Sequence, residues 1–223
     1  GIQSIHPLVD IVNFVMLESG QPMHVFDQDK IVGDVQVRFA KSKEHIKILG
    51  EKNLELTKDC LVIADEKEPI ALAGISGSSK HSVSKKTKNF LIESAFFDPS
   101  IIKGKARRYG FQTDASQRFE RGVDFNLHQD ALRYALSIIQ EIYQTDISKI
   151  DTTKNKYFPK NKIINISLED INQKLGTDLK ENSIKSILNR LEIKMIKKNK
   201  INFTFEVPSH RFDLSIKEDL IEE

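Results

Sequence analysis

The sequence predicts an α+β protein: a mixed sheet-and-helix domain followed by a small, helical, winged-helix-like one. Three observations carry this. Short apolar runs with period-two alternation crowd the stretch from 35 to 97. Two longer stretches, 8–18 and 127–143, place apolar side chains at helical spacing instead. The composition then turns polar and lysine-rich over 145–162, which marks a linker.

Taken in order, Leu8, Ile11, Val12, Val15 and Met16 form one face of a first helix, and Gly20 and Pro22 end it. The segment SGQPMHVFD that follows reads as a loop fixed by its glycine and proline. Residues 35–39 and 45–49 alternate as strands, and GEKN at 50–53 has turn chemistry. The apolar runs at 60–64 and 69–75 are further strands, joined by a turn that ends at Pro69. Residues 90–97, FLIESAFF, make another. Asp98 followed by Pro99 is a helix start, with aspartate at the cap and proline at the first helical position. That helix is expected to run to Tyr109 and stop at Gly110. A second amphipathic helix covers 127–143. The domains expected are 1–150, a linker at 151–160, and 161–223. In the last of these a short strand precedes two short helices, a strand pair and a final helix from about Leu214. That order suits a small helix-turn-helix module with a wing.

Composition excludes several classes. The net charge of +2 across 223 residues gives no global attraction to nucleic acid. The single cysteine, Cys60, rules out an internal disulfide and a Cys-rich zinc site, and it reads as a buried core thiol. No apolar run approaches the roughly 20 residues of a membrane span, and no signal peptide is seen. The chain starts at Gly1 and stops within a helical pattern. The expectation is a fragment of a longer cytoplasmic protein.

Candidate chemistry is sparse. His24 is a potential base or hydrogen-bond partner. Glu93 is the one carboxylate in an apolar strand, so it needs a partner or a shifted pKa; ionised, it accepts from a ligand hydroxyl. Gly74 and Gly77 in AGISGSS allow close backbone approach, without the Lys-Ser/Thr of a phosphate loop. Asp213, Asp219, Glu222 and Glu223 cluster acids near the end. Oxygen-only ligands of this kind suit magnesium, and a solvated acidic helix end is the alternative. Ser116 and Cys60 lack a base and are poor nucleophiles.

Five blocks occur in one order: SIHPLVDIVNFVMLESGQPMHVFD, ALAGISG, LIESAFFDP, KARRYGFQTDASQRFERGVD and SHRFDLSIKEDLIEE. Together they closely resemble the bacterial phenylalanyl-tRNA synthetase beta chains, over essentially the whole sequence. The resemblance implies a B3/B4-type editing domain at residues 1–150 and a B5 domain at 161–223. It implies hydrolysis of mischarged tyrosyl-tRNA(Phe), with Asn13, His24, Gly74, Gly77, Glu93, Thr113 and Ala115 lining the pocket. His24, Glu93, Asn13 and Thr113 are expected to act on the substrate; Gly74, Gly77 and Ala115 are expected to leave room for the ring. It implies Mg2+ on Asp213, Asp219, Glu222 and Glu223, shared with the alpha chain of an alpha2beta2 heterotetramer. Other implied partners are tRNA(Phe) and the amino acids tyrosine and phenylalanine; ATP is used by the full enzyme and not by this fragment.

The chemistry agrees with that task. Tyrosine exceeds phenylalanine by one hydroxyl, and a second sieve that hydrogen-bonds it discriminates by roughly four to five decades. An aminoacyl ester is reactive enough for a positioned water, polarised by backbone amides and assisted by the terminal ribose hydroxyl. Two departures from the family pattern count against strong editing. Val12 stands where many relatives have threonine, and Gln3 where many have arginine. The alternative is a scaffold for subunit assembly and tRNA binding with weak or lost editing. Duplex-DNA binding by the winged-helix-like end ranks last, because its charges form no recognition stripe. Within 107–124, Arg107 and Arg108 are expected to end a helix and face tRNA phosphates, with Arg118, Glu120 and Arg121 in local ion pairs.

Overall fold

The computed structural model describes residues 4–50, 52–148, 150–153, 156–199 and 201–223. Gln3 falls outside them. The chain divides into two compact units, Gly1–Ile150 and Asp151–Glu223, each with its own core.

In the first unit, α1 (Pro7–Ser19) is capped by His6, whose Nδ1 accepts from the Leu8 amide, and ends at Gly20 in the left-handed region. The strands follow as β1 (Met23–Asp27), β2 (Gln36–Phe39), β3 (Glu44–Lys47), β4 (Asn53–Leu56), β5 (Leu61–Ala64), β6 (Pro69–Leu72), β7 (Ser76–Gly77) and β8 (Phe90–Ser94). Then come α2 (Pro99–Ile102), α3 (Lys105–Arg108), α4 (Asp114–Arg121) and α5 (His128–Tyr143). Strands β2-β5-β6-β7 form one antiparallel sheet, β3 and β4 a hairpin, and β1 and β8 an antiparallel pair.

Alternation in β1 explains the layering. Val25 points into a core shared with Leu8, Ile11, Val12 and Val15 of α1 and Ala131, Ala135 and Ile139 of α5. Phe26 points the other way, into the main core with Val62, Ile70 and Leu72. The β1–β8 pair is therefore a partition between a helical layer and the main sheet.

Three expectations change here. Residues 23–27 are a strand, not a loop: once past Pro22, the HVFD run has both a partner and a buried face. The helix expected from 99 to 109 breaks into α2 and α3 at Gly104, whose φ of 77° is left-handed. Helix α4 went unread because only Ala115 and Phe119 in it are apolar.

The second unit runs β9 (Ile163–Ser167), α6 (Leu168–Leu175), α7 (Glu181–Arg190), β10 (Lys194–Lys198), β11 (Asn202–Glu206) and α8 (Lys217–Glu222). Strand β9 pairs with β11, so the expected two-stranded wing is a three-stranded sheet in the order β10-β11-β9. Ile164, Ile166, Ile171, Ile184, Leu188, Phe203 and Phe205 form its core. The final helix starts at Lys217 rather than near Leu214. No described helix is long and apolar enough to cross a membrane.

Candidate functional site

Strands β1 and β8 bring His24 directly opposite Glu93. Directly opposed residues share one face, with Cβ atoms about 5 Å apart. Their neighbours on that face, Phe26 and Leu91, belong to the main core, and the His24 ring meets Phe26 edge-on at 4.5 Å. A small hollow of about 50 Å³ opens in front of the pair. Pro22 and Met23 continue the β1 wall. Ala71, Leu72, Gly74, Ile75, Ser76 and Gly77 form the facing wall, and Ala115 and Phe119 of α4 close one side.

Both polar groups enter the hollow unpaired. His24 Nε2 and Glu93 Oε1 are shut off from solvent and have no hydrogen-bond partner. Burial alone moves both titrations. It holds His24 down to about 4, so the imidazole is neutral at pH 7. It raises Glu93 to about 7, so the carboxyl is near half protonation there. Buried polar atoms without partners cost roughly 1–3 kcal/mol each. Two of them lining one hollow are what a site leaves open for a ligand's hydrogen bonds.

The glycines and Ala115 are there for space. A Cβ on Gly77 would lie 2.1 Å from His24 Nε2, so the imidazole rests on bare backbone. Gly74 has φ of 67°, and a Cβ there would press on Phe97 at 3.0 Å and Phe119 at 3.1 Å. Those two rings pack edge-to-face at 5.1 Å and support the hollow from behind.

Asn13 and Thr113 do not line it. Asn13 sits on α1, on the far side of the β1–β8 partition from the main core. Thr113 caps α4: its Oγ1 donates to the Ile75 carbonyl at 2.8 Å and accepts from the Ser116 amide at 3.0 Å. The hydroxyl's one proton and one of its lone pairs are engaged in joining α4 to the glycine-bearing loop. Ser116 returns a bond to the Thr113 amide, which completes a capping box. Val12 is 3% exposed in the helical core, so its missing hydroxyl takes nothing from the hollow. Sequence reasoning missed Met23, Ser76 and Phe119 as lining residues. Ser76, set between the two glycines, was the one with a readable signal.

Around the site, Arg118 pairs with Asp114 at 3.2 Å, and Glu120 accepts from the Gly104 amide. Arg108 is engaged with Thr57 and Asp59, each at 2.8 Å. Together with Lys105 it holds the Asp59 carboxyl well below the usual range. Cys60 is fully buried beside the Tyr109 hydroxyl at 3.3 Å.

In the second unit the four acids do not come together. Asp213 and Glu223 both bind Arg211, and Asp219 accepts from the Ser215 and Ile216 amides at 2.7 and 3.0 Å. Among the described residues no three His, Cys, Asp or Glu side chains form a metal-ligand group. The expected magnesium set does not fit as arranged, because a guanidinium holds the place of the cation.

The B3/4 domain family matches residues 1–144, and the tRNA synthetase B5 domain matches 164–223. The phenylalanine–tRNA ligase beta subunit of Idiomarina loihiensis is 42% identical over the whole chain, and that of Psychrobacter arcticus 43%. The chain spans 28% of the length of each. An N-terminal fragment of the phenylalanyl-tRNA synthetase beta-subunit from Pyrococcus horikoshii aligns with 96% of this chain and 63% of its own. Its TM-score is 0.44 at 15% identity, too distant to carry an argument.

Proposed function

The chain belongs to the B3/4 domain family, and from that premise we propose that it is the editing part of a phenylalanine–tRNA ligase beta subunit. Its reaction is hydrolysis of the ester in tyrosyl-tRNA(Phe), in the hollow between β1, β8 and the Gly74–Gly77 loop. The observation that carries this is the pair of unpartnered buried atoms, His24 Nε2 and Glu93 Oε1, on one wall of a mostly apolar hollow. A phenol fits them: its ring meets Gly74, Gly77, Ala115 and Phe119, and its hydroxyl donates to Glu93 while its oxygen accepts from His24 Nε2–H in the neutral tautomer that carries its proton there. Phenylalanine would leave both atoms unpaired, which is the arrangement that discriminates most strongly between the two.

No covalent nucleophile is assigned. The ester needs a positioned water, and the residues named here hold the side chain so that its carbonyl meets that water. Thr113 acts by fixing α4 against Ile75, and Asn13 lies outside the hollow. In the cytoplasm the alpha chain, tRNA(Phe), ATP and magnesium complete the ligase. Magnesium on Asp213, Asp219, Glu222 and Glu223 would require Arg211 to release two of them.

The test is tyrosyl-tRNA hydrolysis by the full ligase. Glu93→Ala and His24→Ala should each lower it by about 100-fold, the scale of a lost positioning contact, with phenylalanylation unchanged. Hydrolysis equal to wild type in both would leave the scaffold reading in place.

A further inference from the structure

Behind the Gly77 wall lies a second buried polar group that takes no part in the hollow itself. His81 is 1% exposed. Its Nδ1 is 3.0 Å from Ser78 Oγ, and its Nε2 has no hydrogen-bond partner and lies 3.9 Å from Asp65 Oδ2. Ser78 Oγ also accepts from the Lys80 amide at 3.2 Å. Asp65 accepts from the Val32, Lys67 and Glu68 amides at 2.8–2.9 Å. Serine, histidine and aspartate are the residue types of a hydrolytic triad. Here Ser78 and Asp65 are 4% and 3% exposed, and none of the three lines the hollow. The group cannot meet a substrate, so its effect must be structural.

The backbone around it shows what it holds. The Ser78 amide donates to the Ile70 carbonyl, which ties the segment to β6. Ser78 also bridges to Ile48, which ties it to the β3–β4 hairpin. The Asp27 amide donates to the His81 carbonyl at 2.9 Å, and Phe26 bridges to Ser82. Lys30 Nζ donates to the Ser82 carbonyl at 2.7 Å. Residues 77–82 thus run from the glycine that supports the His24 ring to the strand that carries His24. This segment is one of the links between those two walls, and the His81 side chain lies inside it, bonded to Ser78.

We infer that His81 is a positioning residue: by holding Ser78 it fixes Gly77 against the His24 imidazole and so sets the geometry of the ester-hydrolysing hollow. This rests on the editing reading above.

The experiment uses the assembled full-length ligase and compares wild type, Glu93→Ala, His81→Leu, His81→Asn and Ser78→Ala. Both tyrosyl-tRNA hydrolysis and phenylalanylation are measured. His81→Leu should lower kcat for hydrolysis by about 10- to 100-fold, the effect of a displacement near 1 Å, with phenylalanylation unchanged. His81→Asn, whose amide can still bond Ser78 as acceptor or donor, should recover most of the loss, a rescue that mere loosening of the core would not give. Ser78→Ala should fall in the same direction as His81→Leu, and it decides the matter if His81→Leu does not assemble. Wild-type kcat in His81→Leu, or in Ser78→Ala where that variant decides, would overturn the inference. So would equal losses in His81→Leu and His81→Asn. If Glu93→Ala and His24→Ala, measured beside it, both hydrolyse like wild type, the editing reading fails and this inference fails with it, a pattern distinct from failure of His81 alone.

Discussion

Glu93 and His24 illustrate how burial sets chemistry at the scale of a single residue, and their signs are opposite. Unfolded Glu93 loses its proton above about 4.5, while the folded group keeps it to about 7. Its contribution to stability is therefore present below 4.5, lost as pH rises to 7, and flat above. Unfolded His24 gains a proton below about 6.5 and the folded group only near 4, so its contribution is lost as pH falls through that window. Glu93→Gln removes the first effect. Urea unfolding at pH 5 and pH 8 should show the variant gaining on wild type at the higher pH, by on the order of 2 kcal/mol. Gly77→Ala acts by contact alone. A methyl 2.1 Å from Nε2 must displace the ring, and hydrolysis of tyrosyl-tRNA should fall about 100-fold. The residue types of this pair were legible in the sequence, since an acid inside FLIESAFF has to be accounted for. Their direct opposition was not, because register exists only once β1 is known to be a strand.

Elements were legible where apolar periodicity was strong and hidden where it was not. Helices α1 and α5 and strands β5, β6 and β8 each present a strong apolar pattern, interrupted in β8 by Glu93, and they lie where that pattern put them. Helix α4 has two apolar side chains four residues apart among charges, and its buried residues are Ser116 and Phe119; the Thr113-to-Ser116 capping spacing was the signal present in the sequence. The same cap shows what Thr113 bonds. Its hydroxyl bonds Ile75 and Ser116 and holds the helix in place. Thr113→Ala should cost about 1 kcal/mol, a fall of about 2–4 °C in melting temperature. Thr113→Ser, which keeps the hydroxyl, should melt like wild type. Differential scanning fluorimetry on both variants checks this.

For the whole molecule, the two cores share no residue: Phe26, Val62 and Leu72 belong to one unit and Ile166, Leu188 and Phe205 to the other. Limited trypsin digestion should therefore cut first between Tyr143 and Ile163 and leave two resistant pieces. The second unit's acids show the limit of spacing arguments. Residues 219, 222 and 223 are close in sequence, but Arg211, which spacing does not place among them, takes up Asp213 and Glu223. The central claim is that the hollow recognises a phenol through Glu93 and His24. A crystal structure with bound tyrosine tests it most directly. The phenolic oxygen should lie about 2.7–3.0 Å from both Glu93 Oε1 and His24 Nε2, with the ring over Gly74 and Gly77. A tyrosine bound with its hydroxyl away from both atoms, or bound outside the hollow, would contradict it.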